Sequence, residues 1–293
     1  MALTRLKEKY GFQPGAGYVK TNLDAVRFFW STEPVERAPL IYNAGLVLIL
    51  QGQKTGYLGD RIFHYDTDHY LVLSVPLPFD CATFASPEDP MLGLFIDINR
   101  IDLHELVPLL EIEPPSKTTT SLGLSPAPLD ADMKDAVRRL LDALCSDATS
   151  KALGPGILRE IAFHCLQGPH GAALRALTQV DSHFERIAKT IADIRQNYST
   201  PLRVEDLARE AGMSEPVFHR AFKAITGASP HRYLKTTRLH RAKGLILAEN
   251  LPVAEAARLV GYENAAHFSR EFKKHFKVSP RDAQSAGYKP IDF

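Results

Sequence analysis

The chain carries one short passage twice. "MSEPVFHRAFKAITGASP" (213–230) returns fifty residues later as "YENAAHFSREFKKHFKVSP" (262–280). Phe218 answers Phe268, Arg220 answers Arg270, Phe222 answers Phe272 and Lys223 answers Lys273. Ser229-Pro230 answers Ser279-Pro280. An apolar stripe at helical spacing has to be buried, and here it has to be buried twice. That restricts the C-terminal part to two copies of one small helical unit.

Each copy reads as helix, tight glycine turn, helix. In the first, Val204, Leu207, Ala208 and Ala211 form one apolar face. Gly212 ends that helix, since a left-handed cap costs glycine nothing. Ser214 takes the cap position of the next helix, with Pro216 in its first turn. Val217, Phe218 and Phe222 point inward, which leaves His219, Arg220 and Lys223 outside. In the second copy Ala256, Ala257 and Val260 form the support face, Gly261 makes the turn and Asn264 caps. Phe268, Phe272 and Phe276 point inward; His267, Arg270 and Lys273 face out. Between the copies, 231–246 has Tyr233, Leu234, Leu239 and Leu245 as an inward stripe. As a helix it spans roughly 25 Å. The two second helices then sit about 34 Å apart, one turn of DNA, and enter successive major grooves on one face of the duplex.

Charge agrees with a polyanion partner for this part alone. From Ser182 to the end the chain holds 19 basic and 12 acidic residues, a net +7; the remainder holds 16 and 22, a net −6. No apolar run approaches the length of a membrane span, and "MALTRLKEKYGF" lacks the apolar core of a signal peptide. Cys81, Cys145 and Cys165 are widely spaced in apolar surroundings and read as buried thiols of a reducing compartment. The expected location is the cytoplasm.

The first hundred residues read as short strands. "LIYNAGLVLILQGQKTGYLGDRIFHYDTDHYLVLSV" is rich in Val, Ile, Leu and Tyr and is broken by Gly52, Gly56, Gly59-Asp60 and Asp66-Thr67-Asp68. This pattern suggests a sandwich or small barrel. The segment 114–128 is a loop by composition. "LDADMKDAVRRLLDALCS" has helical spacing and a cap at Asp130 or Asp132. "GPGILREIAFHCLQG" is a second helix, started by Pro155 and stopped by Gly168. The expected organisation is α+β in two domains: residues 1–168, a linker at 169–182, and an all-α double helix-turn-helix at 183–293.

On "LRVEDLAREAGMS", "FHRAFKAITGASPHRYLKTTRLHRAKGLI" and "AARLVGYENAAHFSREFKKHFKVSP", the residues from about Ile187 to Lys289 resemble the DNA-binding domain of the AraC/XylS family of transcription regulators. The first half, including "GPHGAALRAL", resembles the effector-binding half of one branch of that family. The resemblance implies a cupin-like β-sandwich followed by dimerisation helices. It implies promoter DNA, a small-molecule effector and RNA polymerase as partners, activation as the output, a homodimer, and no cofactor. By position, the first reading helix would present Glu215, His219, Arg220 and Lys223. The second would present Asn264, Ala265, Ala266, His267, Arg270 and Lys273. The family often has larger polar residues where Pro216, Ala265 and Ala266 stand. Alanine can touch a thymine methyl but donates no hydrogen bond, whereas Arg220 and Arg270 carry the fork that fits guanine O6 and N7. Their alternative use is a phosphate contact or an internal ion pair.

An enzyme reading competes for the first half: a cupin-type metalloenzyme with an accessory DNA-binding tail. Its candidate ligands are His64, Asp66, Asp68 and His69. An odd separation puts the two histidines on opposite faces of a strand, and the Asp-rich middle reads as a turn, so no metal is assigned. No nucleophile elbow, phosphate loop or CxxC pair supports another enzyme class. For an effector, Arg27, Arg37 and Arg61 can clamp an anion such as a carboxylate, a sugar acid or a nucleotide. Tyr42, Tyr65 and Tyr70 can stack on a ring. The bland use of all six is packing or surface.

Overall fold

A computed structural model describes residues 2–113, 115–116 and 123–285. Position 114, positions 117–122 of the expected loop, and 286–293 with Lys289 lie outside the described residues. The chain opens with a helix, α1 (Ala2–Tyr10), where strands were expected; it is too short to show an apolar period over three turns. Its Leu6 is fully buried.

Ten strands follow, all paired antiparallel. They are β1 (Ala16–Lys20), β2 (Val26–Ser31), β3 (Val35–Tyr42), β4 (Gly45–Gln51), β5 (Gln53–Leu58), β6 (Arg61–Tyr65), β7 (His69–Leu73), β8 (Leu77–Phe84), β9 (Met91–Asp97) and β10 (Leu124–Pro128). They form a six-stranded sheet, β1-β2-β9-β4-β7-β10, and a four-stranded sheet, β3-β8-β5-β6. Side chains from the two sheets meet: Tyr42 of β3 stacks on Phe79 of β8 at 5.1 Å and on Phe95 of β9 at 6.4 Å. The two-sheet architecture expected from the strand pattern is therefore present.

Helices cover the outer face of the larger sheet. These are α2 (Arg100–Leu106), α3 (Ala131–Leu144), α4 (Asp147–Gln167) and α5 (Gly171–Ala176). Asp130 caps α3, its side chain accepting from the Met133 N–H at 2.8 Å. The apolar stripe on α3 is buried in the chain's own core through Met133, Ala136, Val137, Leu140, Ala143 and Leu144. One boundary differs from expectation. Pro155 does not start α4 but lies inside it: the helix begins at Asp147, eight residues before Pro155, with Ser146 as its cap. A helix-interior proline forfeits one backbone bond, and here the helix continues through it to Gly168. The segment expected to link the domains contains α5, whose Ala173, Leu174 and Ala176 are buried. Cys81 and Cys165 are buried and Cys145 is only partly so.

The repeat builds two three-helix units. The first is α6 (His183–Gln196), α7 (Val204–Glu210) and α8 (Glu215–Thr226); the second is α9 (Pro230–Leu247), α10 (Val253–Leu259) and α11 (Ala265–Phe276), followed by α12 (Pro280–Ser285). Gly212 and Gly261 hold the turns at φ +61° and +85°, a conformation that other residues rarely adopt. α9 is more than a spacer. Tyr233, Leu234 and Leu239 are buried as expected, but so are Thr236, Thr237, His240, Ala242, Lys243 and Ile246, because both units and the strands β3 and β8 pack around it.

The two units are held differently. Phe218, Phe222, Ile225, Tyr233 and Leu234 belong to one continuous apolar core with the β-sandwich. Phe268 and Phe272 belong to a separate core with Leu239, Ala242, Ile246, Ala256, Ala257 and Val260. The first unit is also tied to the sandwich by polar bonds. The Gly123 N–H donates to the Ile225 carbonyl at 2.9 Å, the Tyr233 hydroxyl to the Pro76 carbonyl at 2.8 Å, and Arg195 to the Asn43 side chain at 2.6 Å.

Candidate nucleic-acid interface and effector cavity

The reading faces follow from which side of each helix the cores consume. On α8 the cores take Phe218, Ala221, Phe222 and Ile225, which leaves Glu215, Pro216, His219, Arg220 and Lys223 exposed. On α11 they take Phe268 and Phe272, which leaves Ala265, Ala266, His267, Arg270 and Lys273 exposed, with Asn264 at the helix start. Asn264 caps α11: its side chain accepts from the His267 N–H at 2.9 Å. Ser214 sits at the matching position of α8 without a side-chain cap bond. Among the described residues, neither Arg220 nor Arg270 forms an ion pair, so both forks face solvent. Phe276, expected inside, is half-buried.

Each turn before a reading helix is held by an arginine that sequence reasoning passed over. Arg186 of α6 donates to the carbonyls of Ala211 and Gly212, both at 3.2 Å. Arg238 of α9 donates to the Gly261 carbonyl at 3.3 Å. Their partners are distant in sequence and offer no local signal.

In the sandwich, the six residues proposed for an effector separate. Arg27 is paired with Asp97 and lies 4.9 Å from the Phe95 ring centre. Arg37 is paired with Asp80 at 2.8 Å and lies over Tyr57 at 4.3 Å. Arg61 is exposed at the start of β6. Tyr70 is buried on the helix-covered side, next to Cys165 of α4, and burial raises the pKa of both groups. Only Tyr42 and Tyr65 come together, both fully buried between the sheets.

They meet around a residue the sequence did not single out. Lys54 of β5 is 3% exposed. Its Nζ donates to the Tyr42 hydroxyl at 2.8 Å and lies 5.4 Å from the Phe29 ring centre. Tyr65 Oη and Cys81 Sγ are 3.3 Å apart beside it. Burial lowers the Lys54 pKa, because an ammonium loses its hydration there, and it raises those of Tyr65 and Cys81. Among the described residues, Lys54 has no carboxylate partner. It lines a cavity of about 710 Å³, together with Cys81, Trp30, Leu40 and Met91, and with Glu33 and Glu36 among the wall residues. A smaller cavity of about 490 Å³ lies between the large sheet and α2 and α4. Its one arginine, Arg159, is already satisfied by Asp102 and Glu105 at 3.0 and 2.6 Å. Of these two cavities, the inter-sheet one offers the cation that has no carboxylate partner among the described residues.

His64 and His69 find separate partners, Thr55 at 2.9 Å and Asp66 at 2.8 Å, and residues 66–68 form the turn between β6 and β7. Among the described residues, no group of three or more His, Cys, Asp or Glu is placed to hold a metal ion. Nor is any described helix long and apolar enough to cross a membrane.

Comparison with known proteins agrees with this division. The chain is 33% identical over 101 residues to the lactose operon transcription activator of Staphylococcus xylosus, an alignment covering 34% of this chain and 36% of the relative. It is 34% identical over 109 residues to the transcriptional activator RhaS of Yersinia pestis bv. Antiqua (strain Angola), covering 37% and 40%. The chain thus spans well under half the length of the curated relatives it matches. Over most of its length it has the fold of ToxT from Vibrio cholerae. An apo variant superposes with a TM-score of 0.59 at 11% identity, covering 88% of this chain and 97% of that one. The form bound to an unsaturated fatty acid gives 0.56 at 10%, covering 88% and 94%. A helix-turn-helix family matches residues 207–286, and the family described as AraC-type transcriptional regulator N-terminus matches 22–173, just over half of the chain. The metalloenzyme alternative finds no support in either match. The chain belongs to the AraC-type transcriptional regulators.

Proposed function

We propose that this chain is a sequence-specific transcription activator that reads promoter DNA with α8 and α11 and responds to a small anionic effector between its sheets. The observation that carries the DNA half is the pair of exposed basic faces on duplicated helices, with Arg220 and Arg270 at matching positions. The two relatives matched over about a third of the chain are themselves described as activators, which favours activation over repression. Output through RNA polymerase and action as a homodimer belong to the same proposal. A dimer would raise promoter occupancy through effective concentration.

The effector half rests on Lys54. A buried ammonium without a counter-charge is costly, and a carboxylate, sugar acid or phosphate that entered the cavity would relieve that cost. The fatty acid carried by the ToxT structure fits an acid in a regulator of this fold, though only as likeness of fold. β3 offers a physical link between cavity and reader. Ala38 and Leu40 line the cavity, while α9 and α11 pack against the same strand. A ligand can shift the reader only by binding one arrangement better than another. Effector and operator then tighten each other's binding by the same factor.

The test begins with a thermal-shift screen of the full chain against carboxylates, sugar acids and nucleotides. The best hit is titrated with and without a duplex that the protein has selected from a random library. Equal effector affinities in the two titrations would refute the coupling.

A further inference from the structure

Arg238 lies on α9, between the two repeats, and spends its guanidinium on three backbone carbonyls. Nε donates to Tyr198 at 2.7 Å, Nη2 to Thr200 at 3.0 Å and Nη1 to Gly261 at 3.3 Å. The first two carbonyls belong to the loop between α6 and α7; the third belongs to the turn before α11. These segments also touch directly, since a Cβ on Gly261 would collide with the Ser199 carbonyl. Tyr198 packs against both apolar cores, and Arg241 lies over its ring at 5.7 Å. The loop 198–200 is thus where the two repeats meet, and Arg238 is the fork that joins them. Bonds from a planar cation to three carbonyls fix direction as well as distance, which apolar contact alone does poorly.

We propose that Arg238 is the positioning residue that sets the phase between the two reading helices, and hence the spacing of the two DNA segments the protein accepts. This rests on the reading that α8 and α11 both enter the major groove. The joint lies between the readers: with readers about 34 Å apart the arm to α11 is at most about 17 Å, so a rotation of roughly 10° displaces α11 by up to about 3 Å, close to one base-pair step. Arg238 touches no base in this scheme. Its signature is a change in spacing preference, which a general loss of stability would not produce.

The experiment uses the full chain. Wild-type protein enriches duplexes from a random-sequence library, and the enriched site is remade with one base pair added or removed between its two contacted segments. Wild type is expected to lose at least tenfold in affinity on either change. Arg238→Met keeps much of the packing of the stem and loses the fork; it is expected to lose less than threefold, with Arg238→Lys recovering part of the discrimination. A methionine variant that keeps the tenfold penalty overturns the proposal, whatever its overall affinity. If that variant fails to fold by thermal melt, Arg238→Gln decides by the same criterion. A wild-type site with only one contacted segment, or no enriched site at all, would refute the two-helix reading itself and remove the proposal with it.

Discussion

His240 of α9 and His275 of α11 face each other across the second unit, Nε2 to Nε2 at 3.1 Å. One ring must donate and the other accept, so at least one stays neutral. Burial, then His240 and the cations Lys235, Lys243 and Arg232, bring the His275 pKa from the ordinary 6.5 down to about 3. Of these, Lys235 is itself paired with Glu271 at 2.6 Å, and Lys243 lies over Phe276 at 5.0 Å. An unfolded chain takes up this proton near pH 6.5, while the folded unit resists until about 3. The stabilisation is therefore complete above pH 6.5 and is lost as the pH falls toward 3. Melting temperature should drop by several degrees between neutral and mildly acidic buffer. His275→Gln should flatten that dependence; an unchanged slope in the variant would remove His275 from the account.

Separate cores predict separate failures. Phe222→Ala removes a ring from the core shared with the sandwich, and Phe272→Ala removes one from the small second core. Each should cost about 3–5 kcal/mol. The first loss should lower the single main transition of the whole chain. The second should split off an early transition confined to the C-terminal unit, visible as fast hydrogen exchange in α10 and α11 with protection elsewhere unchanged.

At the reading faces, Arg220→Ala and Arg270→Ala should each cost about 1–3 kcal/mol if the fork bonds a guanine, and should relax specificity at one position. The two positions should lie one DNA turn apart. A loss that is uniform over all sequences would reassign that arginine to phosphate. Affinity of the full chain should also fall steeply with added salt as counterions are released.

Lys54→Met should abolish the thermal shift given by an anionic effector. The same substitution should leave the ligand-free protein as stable as before, or more stable by about 1 kcal/mol, because it removes a buried amine. Retention of the ligand-induced shift in the variant would move the effector out of the inter-sheet cavity.

The contrast between Phe218 and Lys54 explains what was legible. Phe218 announces its burial through its neighbours at helical spacing, and the repeat announces it again at Phe268. Both glycine turns, the connector helix and the outward residues of α8 and α11 follow from such local periods. Lys54 stands in "GQKTGY", which reads as a polar strand end, and lysine is by default a surface residue. Only the long-range pairing of β5 with β8 and the stacking of the two sheets place it inside. The same blindness turned Arg27 and Arg37 into candidate clamps, since their partners Asp97 and Asp80 are 70 and 43 residues away. Tyr70 went to the helix-covered face of the large sheet because the turn at 66–68 carries the chain from β6 of the smaller sheet to β7 of the larger one, a crossing that no local pattern marks.

The first reading unit completes the apolar core of the N-terminal body, whereas the second closes a core of its own. During synthesis the larger core can therefore shut once the first half of α9 has cleared the ribosome. Leu239, Ala242 and Ile246 then stand in water until α10 and α11 arrive to cover them. A premature stop within α10 would release a chain with one finished reading helix and a naked apolar stripe beside it. Such a product would compete for half of each operator and adhere to its neighbours through that stripe.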